Sequence, residues 1–294
     1  MSNSLNSFLH RGKEPEPGVL YVVGTPIGNL NDVSKRSLNI LKNTSLILSE
    51  DTRKTKILLG SFGIKNKLIS FNDHNSIARL PHIISKLKNG ASIALVSDAG
   101  TPLISDPGEL LVKKVREANF DIISVPGPCA AIAAIVSSGL ECSNFIFYGF
   151  IPRSSKERKK ILNSIKNNDI SSIVYESPKR IIKLLIDLKD LCGDERRISI
   201  SRELTKKYEE HIGNNINQAL RHFEDNTPKG EFTIVIGGKE KNFEEENNLK
   251  TIKYDLLDLI NLGLNHSTAA NYLSKKYKKP KNQVYKLLFD DNLG

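Results

Sequence analysis

With 294 residues, 39% of them hydrophobic and 26% charged, the chain has the composition of a soluble globular protein with room for two domains and a small third piece. A formal net charge of +10 favours a polyanionic partner, with nucleic acid first. No apolar run approaches a membrane span, and the start Met1-Ser2-Asn3-Ser4-Leu5-Asn6 lacks a basic-then-apolar signal pattern, so a cytoplasmic protein with no membrane partner is expected.

Cys129, Cys142 and Cys192 are odd in number, far apart and without metal spacing, which fits reduced thiols. Residues 1–17 are polar, end in Glu14-Pro15-Glu16-Pro17, and read as a disordered leader.

An N-terminal α/β domain is expected over 18–140. Its first strand, Val19–Val23, breaks at Gly24-Thr25-Pro26-Ile27-Gly28-Asn29-Leu30, and a helix over about 33–42 follows. A second strand, Leu46–Leu48, ends in Ser49-Glu50-Asp51-Thr52-Arg53 before a helix near 55–62. Leu68–Phe71 reads as a third strand, followed by Asn72-Asp73-His74-Asn75 and a helix over about 77–88. Unbroken alternation of strand and helix argues for a parallel sheet covered on both faces.

The fourth strand, Ser92–Val96, runs into Ser97-Asp98-Ala99-Gly100-Thr101-Pro102-Leu103-Ile104-Ser105-Asp106-Pro107-Gly108, and a helix begins at Glu109. In open α/β sheets ligands collect at the carboxyl ends of strands, and this loop leaves such an end. Asp98, directly after the strand, has few structural reasons to be a carboxylate. Asp106 reads either as a functional group or as a helix cap with proline next to it. After a fifth strand, Asp121–Val125, Pro126-Gly127-Pro128 opens a helix over Cys129–Val136 with almost no polar face, which predicts burial all round.

A second α/β domain is expected over 141–238. Its strands are read at 144–150, 172–175, 198–201, about 208–212 and 232–236, with helices near 155–165, 180–191 and 216–223. The charged, Asn-rich stretch 239–250 reads as a linker to a small basic helical domain over 251–294. There Leu256, Leu257, Leu259 and Ile260 are read as one helical face. Ser267 or Thr268 could cap a second helix carrying Ala269, Ala270, Tyr272 and Leu273, and Val284, Tyr285, Leu287 and Leu288 belong to a third. The run Lys275-Lys276-Tyr277-Lys278-Lys279-Pro280-Lys281 suits nucleic-acid backbone contact or, equally, a solvated corner of a helical bundle.

Several familiar sites are excluded. The chain has no phosphate loop of the GxxxxGK[ST] type, no GxGxxG after the first strand and no GxSxG elbow, and its scattered histidines and cysteines offer no metal cage. Gly/Pro loops at strand ends, facing a second α/β domain, describe a cleft for a medium-sized organic ligand.

Gly24–Leu30, Glu50–Arg53, Ser97–Gly108, Pro126–Pro128, Tyr175-Glu176-Ser177-Pro178, Arg202-Glu203-Leu204-Thr205-Lys206 and Lys229-Gly230-Glu231-Phe232 occur together and in order. They closely resemble the ribosomal RNA small subunit methyltransferase I family, the cytidine 2′-O-methyltransferase branch of the tetrapyrrole methylase superfamily. The resemblance covers about residues 18–290. Ser49 stands where that family often has Cys, and Ser76 where it usually has Glu.

The resemblance implies two α/β domains of tetrapyrrole-methylase type with S-adenosyl-L-methionine in the cleft between them, usually in a homodimer. It also implies methylation of the ribose 2′-OH of a cytidine in the decoding centre of 16S rRNA, on the small ribosomal subunit. Carried over by motif, the cofactor contacts would be Asp98, Ala99, Gly100, Thr101 and Ile104, with Cys129 and Ala130, Tyr175 and Glu176, and Phe232.

A ribose hydroxyl attacks a sulfonium methyl only when aligned and losing its proton, so a base or a positive group is expected. Candidates are Glu50, Asp51, Arg53, His74, Asp106, Lys179 and Arg202, each with a cap, an ion pair or a phosphate contact as its alternative role. Two other functions share the fold: methylation of a tetrapyrrole or other small molecule, and RNA binding without catalysis.

Overall fold

Five short apolar runs in the first half of the chain become one parallel sheet: β1 (Leu20–Val23), β2 (Leu46–Ser49), β3 (Leu68–Ser70), β4 (Ile93–Val96) and β5 (Ile122–Val125). The computed structural model describes residues 14–239 and 243–290. Strand order is β3-β2-β4-β1-β5, with every neighbouring pair parallel. Strands covered on both faces must be apolar throughout, and β1, β2 and β4 are buried at every residue.

Side chains alternate between the two faces along each strand. Tyr21 and Ile47 pack beneath α1 (Lys35–Asn43) and α2 (Thr52–Ser61) through Ile40, Leu41 and Leu59. Leu20, Leu46 and Leu95 pack on the opposite face, beneath α3 (Ser76–Lys88) and α4 (Glu109–Glu117), through Leu80, Ile83, Leu111 and Val115.

Of the leader read over 1–17, positions 1–13 lie outside the described residues. From Glu14 onward the chain is tied down: Arg36 donates to both Glu14 carboxylate oxygens at 2.7 Å, and the Glu16 N–H donates to Tyr21 Oη at 2.8 Å.

The second sheet holds β6 (Phe145–Phe150), β7 (Ser171–Glu176), β8 (Ile198–Arg202), β9 (Glu210–Ile212) and β10 (Phe232–Ile236) in the order β6-β7-β10-β8-β9. Only β6 and β7 run parallel; the other pairs are antiparallel. β9 begins two residues later than read from sequence, leaving Tyr208 exposed. Helices α6 (Ser155–Asn167), α7 (Ile181–Cys192) and α8 (Ile216–Asp225) cover one face through residues such as Leu162, Leu184, Leu188 and Ala219.

Against the other face lies α5 (Ala130–Ser137), which follows β5 of the first sheet. Its Ala131, Ala134 and Ile135 pack on Ile173 of β7 and Val235 of β10. The small side chains bring this helix close to the strands, and it ties the two sheets together. It is not buried all round: Ile132 is 47% and Val136 70% exposed. Its apolar composition conceals an outward face that sequence pattern alone could not separate from the inward one.

The chain divides after Gly238, and residues 239–294 form a second compact unit. The stretch 240–242 of the expected linker lies outside the described residues, and from Phe243 onward it is helical. The unit holds α9 (Phe243–Asn261), α10 (His266–Lys276) and α11 (Lys281–Lys286), with a tight 3-10 turn over Leu287–Phe289. Ile252, Leu256, Ala269, Ala270, Leu273, Val284 and Leu287 form its core.

Two details of the sequence reading are corrected here. Leu257 is 39% exposed, because adjacent helical residues diverge by about 100°, so Ile252, one turn before Leu256, shares the buried face instead. Asn265, not Ser267 or Thr268, caps α10, its side chain accepting from the Thr268 N–H at 2.9 Å. Tyr272, read on the second helix, does lie on α10, with its side chain exposed. Among the described residues no helix is long and apolar enough to cross a membrane.

Candidate active site

The carboxyl ends of the adjacent strands β4, β1 and β5 lie side by side, and their loops are fastened to one another. Thr25, after β1, pairs with Gly100, after β4: the Thr25 N–H donates to Gly100 O at 2.8 Å and the Gly100 N–H returns to Thr25 O at 3.1 Å. Thr101 Oγ1 donates to Pro128 O, after β5, at 2.9 Å. Gly24 and Gly127 approach so closely that a Cβ on Gly24 would lie 2.6 Å from Gly127 Cα. These contacts give the glycines and prolines of the three motifs a common purpose.

The loop after β4 is also strained. Leu103 (φ 74°) and Ser105 (φ 64°) take left-handed backbone that side chains disfavour. Asp106 does not cap α4. That position belongs to Gly108 at φ 135°, where a Cβ would strike the Leu95 side chain. The Asp106 carboxyl is released from helix capping and instead interacts with the Ser97 hydroxyl.

The second sheet supplies the opposite wall. The Ala131 N–H, in the first turn of α5, donates to Tyr175 Oη at 3.1 Å. Phe147 and Phe150 set their rings edge-on to Tyr175 at 5.0 and 5.5 Å, fixing it in place. Burial pushes the Tyr175 phenol well above its ordinary value, so it stays neutral. β10 begins where β7 ends, pairing Phe232 with Glu176. Glu176 is buried, and its Oε1 accepts from the Ser177 N–H at 2.8 Å. Its Oε2 makes no hydrogen bond, though Arg180 Nη2 lies 3.3 Å away.

Between these walls is a cavity of about 340 Å³. Ala99, Gly100, Thr101 and Ile104, Cys129 and Ala130, Tyr175 and Glu176, and Phe232 all line it, nine of the ten residues carried over by motif. Ile27, Ser105, Asp106, Phe150 and Glu231 line it too; none was carried over as a cofactor contact, and only Asp106 was a catalytic candidate, though all but Phe150 stand in the motifs. Phe150 carried a signal, an aromatic residue ending a strand. Ser105 and Ile27 carried none beyond their place in Gly/Pro loops.

Residues 19–219 match the family described as Tetrapyrrole (Corrin/Porphyrin) Methylases. The chain belongs to this methylase family. It is 42% identical over 274 residues to the ribosomal RNA small subunit methyltransferase I of Synechocystis, covering 92% of this chain and 97% of that one. The protein of the same name from Escherichia coli O157:H7 is 38% identical, covering 94% of this chain and 96% of its own. That from Thermotoga maritima is 44% identical and aligns over its whole length to 76% of this chain. Diphthine synthase shares the fold at a TM-score of 0.59 and 11% identity, over 78% of this chain and 93% of that structure. A cobalt precorrin-4 methyltransferase does so at 0.57 and 14%, over 75% and 95%.

Within this methylase fold the remaining candidates separate. Asp98 lies outside the cavity wall: its Oδ1 accepts from the Asp51 N–H at 3.0 Å and its Oδ2 pairs with Lys54 at 2.7 Å. Asp51 is the cap of α2, accepting from the Arg53 N–H at 2.9 Å and clasping the exposed Arg53 guanidinium, which holds its carboxyl far below the usual range. Arg202 donates to Lys229 O at 2.7 Å and to Glu210 at 2.9 Å, away from the cavity. His74 and Lys179 are exposed.

Glu50 is half-buried, and desolvation together with the Asp98 charge raises its carboxyl. Asp106 is pushed up to about 6 by burial, against the lowering influence of the Ser97 hydroxyl and with Glu50 and Asp98 adding repulsion. Of the catalytic candidates, Asp106 alone lines the cavity.

Proposed function

We propose that this protein transfers the methyl group of S-adenosyl-L-methionine to the ribose 2′-OH of a cytidine in the decoding centre of 16S rRNA. The observation that carries the reading is the 42% identity to the Synechocystis protein over nearly the whole of both chains. The site's chemistry fits the donor. Glu176 presents a buried carboxylate oxygen that makes no hydrogen bond and is ion-paired with Arg180 at 3.3 Å, which leaves it able to accept from a group such as a ribose hydroxyl. Ile27, Ile104, Ala130 and Phe232 offer apolar surface for a purine.

Bound there, the donor supplies a methyl group made electrophilic by a sulfonium. The chain's part is alignment and exclusion of water. The Thr25–Gly100 and Thr101–Pro128 bonds hold the loops, Tyr175 fixes the start of α5, and Phe150 and Phe232 close the apolar side. The net charge of +10 attracts phosphate, which positions RNA without reading its sequence. Selection of one cytidine then comes from RNA shape and from acceptance of an unstacked nucleotide. Action on ribosomal particles places the protein in the cytoplasm, and homodimer assembly belongs to the same proposal.

The test is a methyl-transfer assay with labelled donor and unmodified small ribosomal subunits, followed by nucleoside analysis. Label in 2′-O-methylcytidine is expected. Label on a base, or label only on a tetrapyrrole acceptor, contradicts the proposal.

A further inference from the structure

Asp106 stands in a wall common to two cavities. One is the 340 Å³ cavity described above. The other, about 680 Å³, lies between the end of β3 and the start of α4, and only Ser105 and Asp106 belong to both linings. The left-handed backbone at Leu103 and Ser105 delivers Asp106 to this position, and no helix cap accounts for it there.

The second cavity has the character of a nucleoside site. Leu103, Leu110 and the 74%-exposed Ile77 offer an apolar surface for an unstacked base. Asp73 and Glu109 present carboxylates, which accept from the N4 amino group of cytosine and repel the O4 oxygen of uracil. Lys113 supplies a cation suited to a phosphate.

We propose that this second cavity takes the acceptor cytidine and that Asp106, on the shared wall, is the catalytic residue that accepts the 2′-hydroxyl proton. The inference rests on the reading of the first cavity as the methyl-donor site. The 2′-oxygen forms its bond to the methyl carbon as the carbon–sulfur bond gives its electron pair to sulfur. The hydroxyl proton passes to the Asp106 carboxylate and on to water.

The charged surroundings suit that task. Glu50 after β2 and Asp98 after β4 repel the Asp106 carboxylate, and the nearby Ser97 hydroxyl favours its charged form. Asp73, Glu109 and Lys113 face it across the second cavity, and Tyr175, Glu176 and Glu231 across the first. With its carboxyl raised to about 6, Asp106 is ionised at neutral pH yet far more basic than an ordinary aspartate.

The test compares full-length wild type with Asp106→Asn, which is close to isosteric, using S-adenosyl-L-methionine titration calorimetry and single-turnover transfer to unmodified small subunits from about pH 5 to about pH 8. Donor affinity is expected to change less than about threefold, and the transfer rate to fall at least about a hundredfold. The wild-type rate should rise through about pH 6, and this limb should vanish in the variant. Asp106→Glu should recover part of the rate.

Ile77→Glu tests the second cavity independently. It should raise KM for subunits at least about tenfold while leaving donor affinity near wild type. Wild type that methylates the ribose while Asp106→Asn does so equally fast overturns this assignment alone. Loss of donor binding in Asp106→Asn, or an unchanged KM in Ile77→Glu, also overturns it. Wild type that labels no ribose hydroxyl overturns both the assignment and the function beneath it.

Discussion

Gly24 and Gly127 touch backbone to backbone at the ends of β1 and β5: a Cβ on Gly127 would lie 2.7 Å from the carbonyl carbon of Gly24, and one on Gly24 2.6 Å from Gly127 Cα. Neither glycine is required by a left-handed turn. Each is required because the other strand's loop occupies the space of a side chain. This contact sets the spacing between the β1 loop, which is bonded to the β4 loop, and the entry to α5.

Gly127→Ala should therefore cost about 1–3 kcal/mol of stability, the range for overpacking where backbone must move. Donor binding should weaken with it, because Cys129 and Ala130 move with the loop. Thermal melting and calorimetry check both. Unchanged values for both show that the contact relaxes without effect on the site.

Tyr175 joins the two sheets at the same place through the Ala131 N–H. Tyr175→Phe keeps the ring packing on Phe147 and Phe150 and leaves an N–H of the first turn of α5 without its partner. The expected stability loss is about 1 kcal/mol, with donor affinity falling about tenfold, about 1.4 kcal/mol. A variant that binds the donor as wild type does separates this bond from the site.

Much of this site was legible before any coordinates, because its parts are loops with unusual residues at strand ends. Glycine and proline there announce close approach and fixed turns, and nine of the ten motif residues line one cavity. Asp98 is the motif residue that stands apart from that cavity. Its carboxylate, read as a ligand contact, is held by Lys54 and the Asp51 N–H, partners that sequence spacing does not reveal. Asp106 was left between a cap and a function, and backbone geometry removes the cap, because Gly108 at a φ of 135° holds that position. The exposed face of α5 was hidden for a different reason: Ile132 and Val136 are as apolar as the buried Ile135.

Asp106 also makes stability depend on pH. Its carboxyl rises from 3.8 to about 6 on folding, so the folded state holds the proton more tightly than the unfolded chain does. The stabilisation is complete below the unfolded value and is lost as pH rises through about 6. Asp106→Asn should consequently gain melting temperature relative to wild type on going from about pH 4 to about pH 7.5, in donor-free protein. An equal difference at both pH values contradicts the raised carboxyl.

In the C-terminal helical unit the lysines of the basic run are not equivalent. Lys276 and the Tyr277 hydroxyl both bond Asp255 at 2.6 Å, and Lys281 donates to Ser267 Oγ at 2.8 Å. Lys275 and Lys278 are exposed. Changing Lys275 and Lys278 together to Ala should weaken RNA binding and reduce its salt slope by about 2, without lowering stability. Lys276→Ala should instead destabilise the helical unit. Filter binding at several salt concentrations, with melting of each variant, distinguishes the two. An unaltered salt slope in the double variant removes this face from the RNA contact.

The central claim is the product, and one measurement reaches it directly: mass spectrometry of nucleosides from small-subunit rRNA of a strain lacking this gene, with and without the gene restored. A 2′-O-methylcytidine lost on deletion and recovered on restoration is the expected result. Persistence of every 2′-O-methylcytidine in the deletion strain contradicts the account.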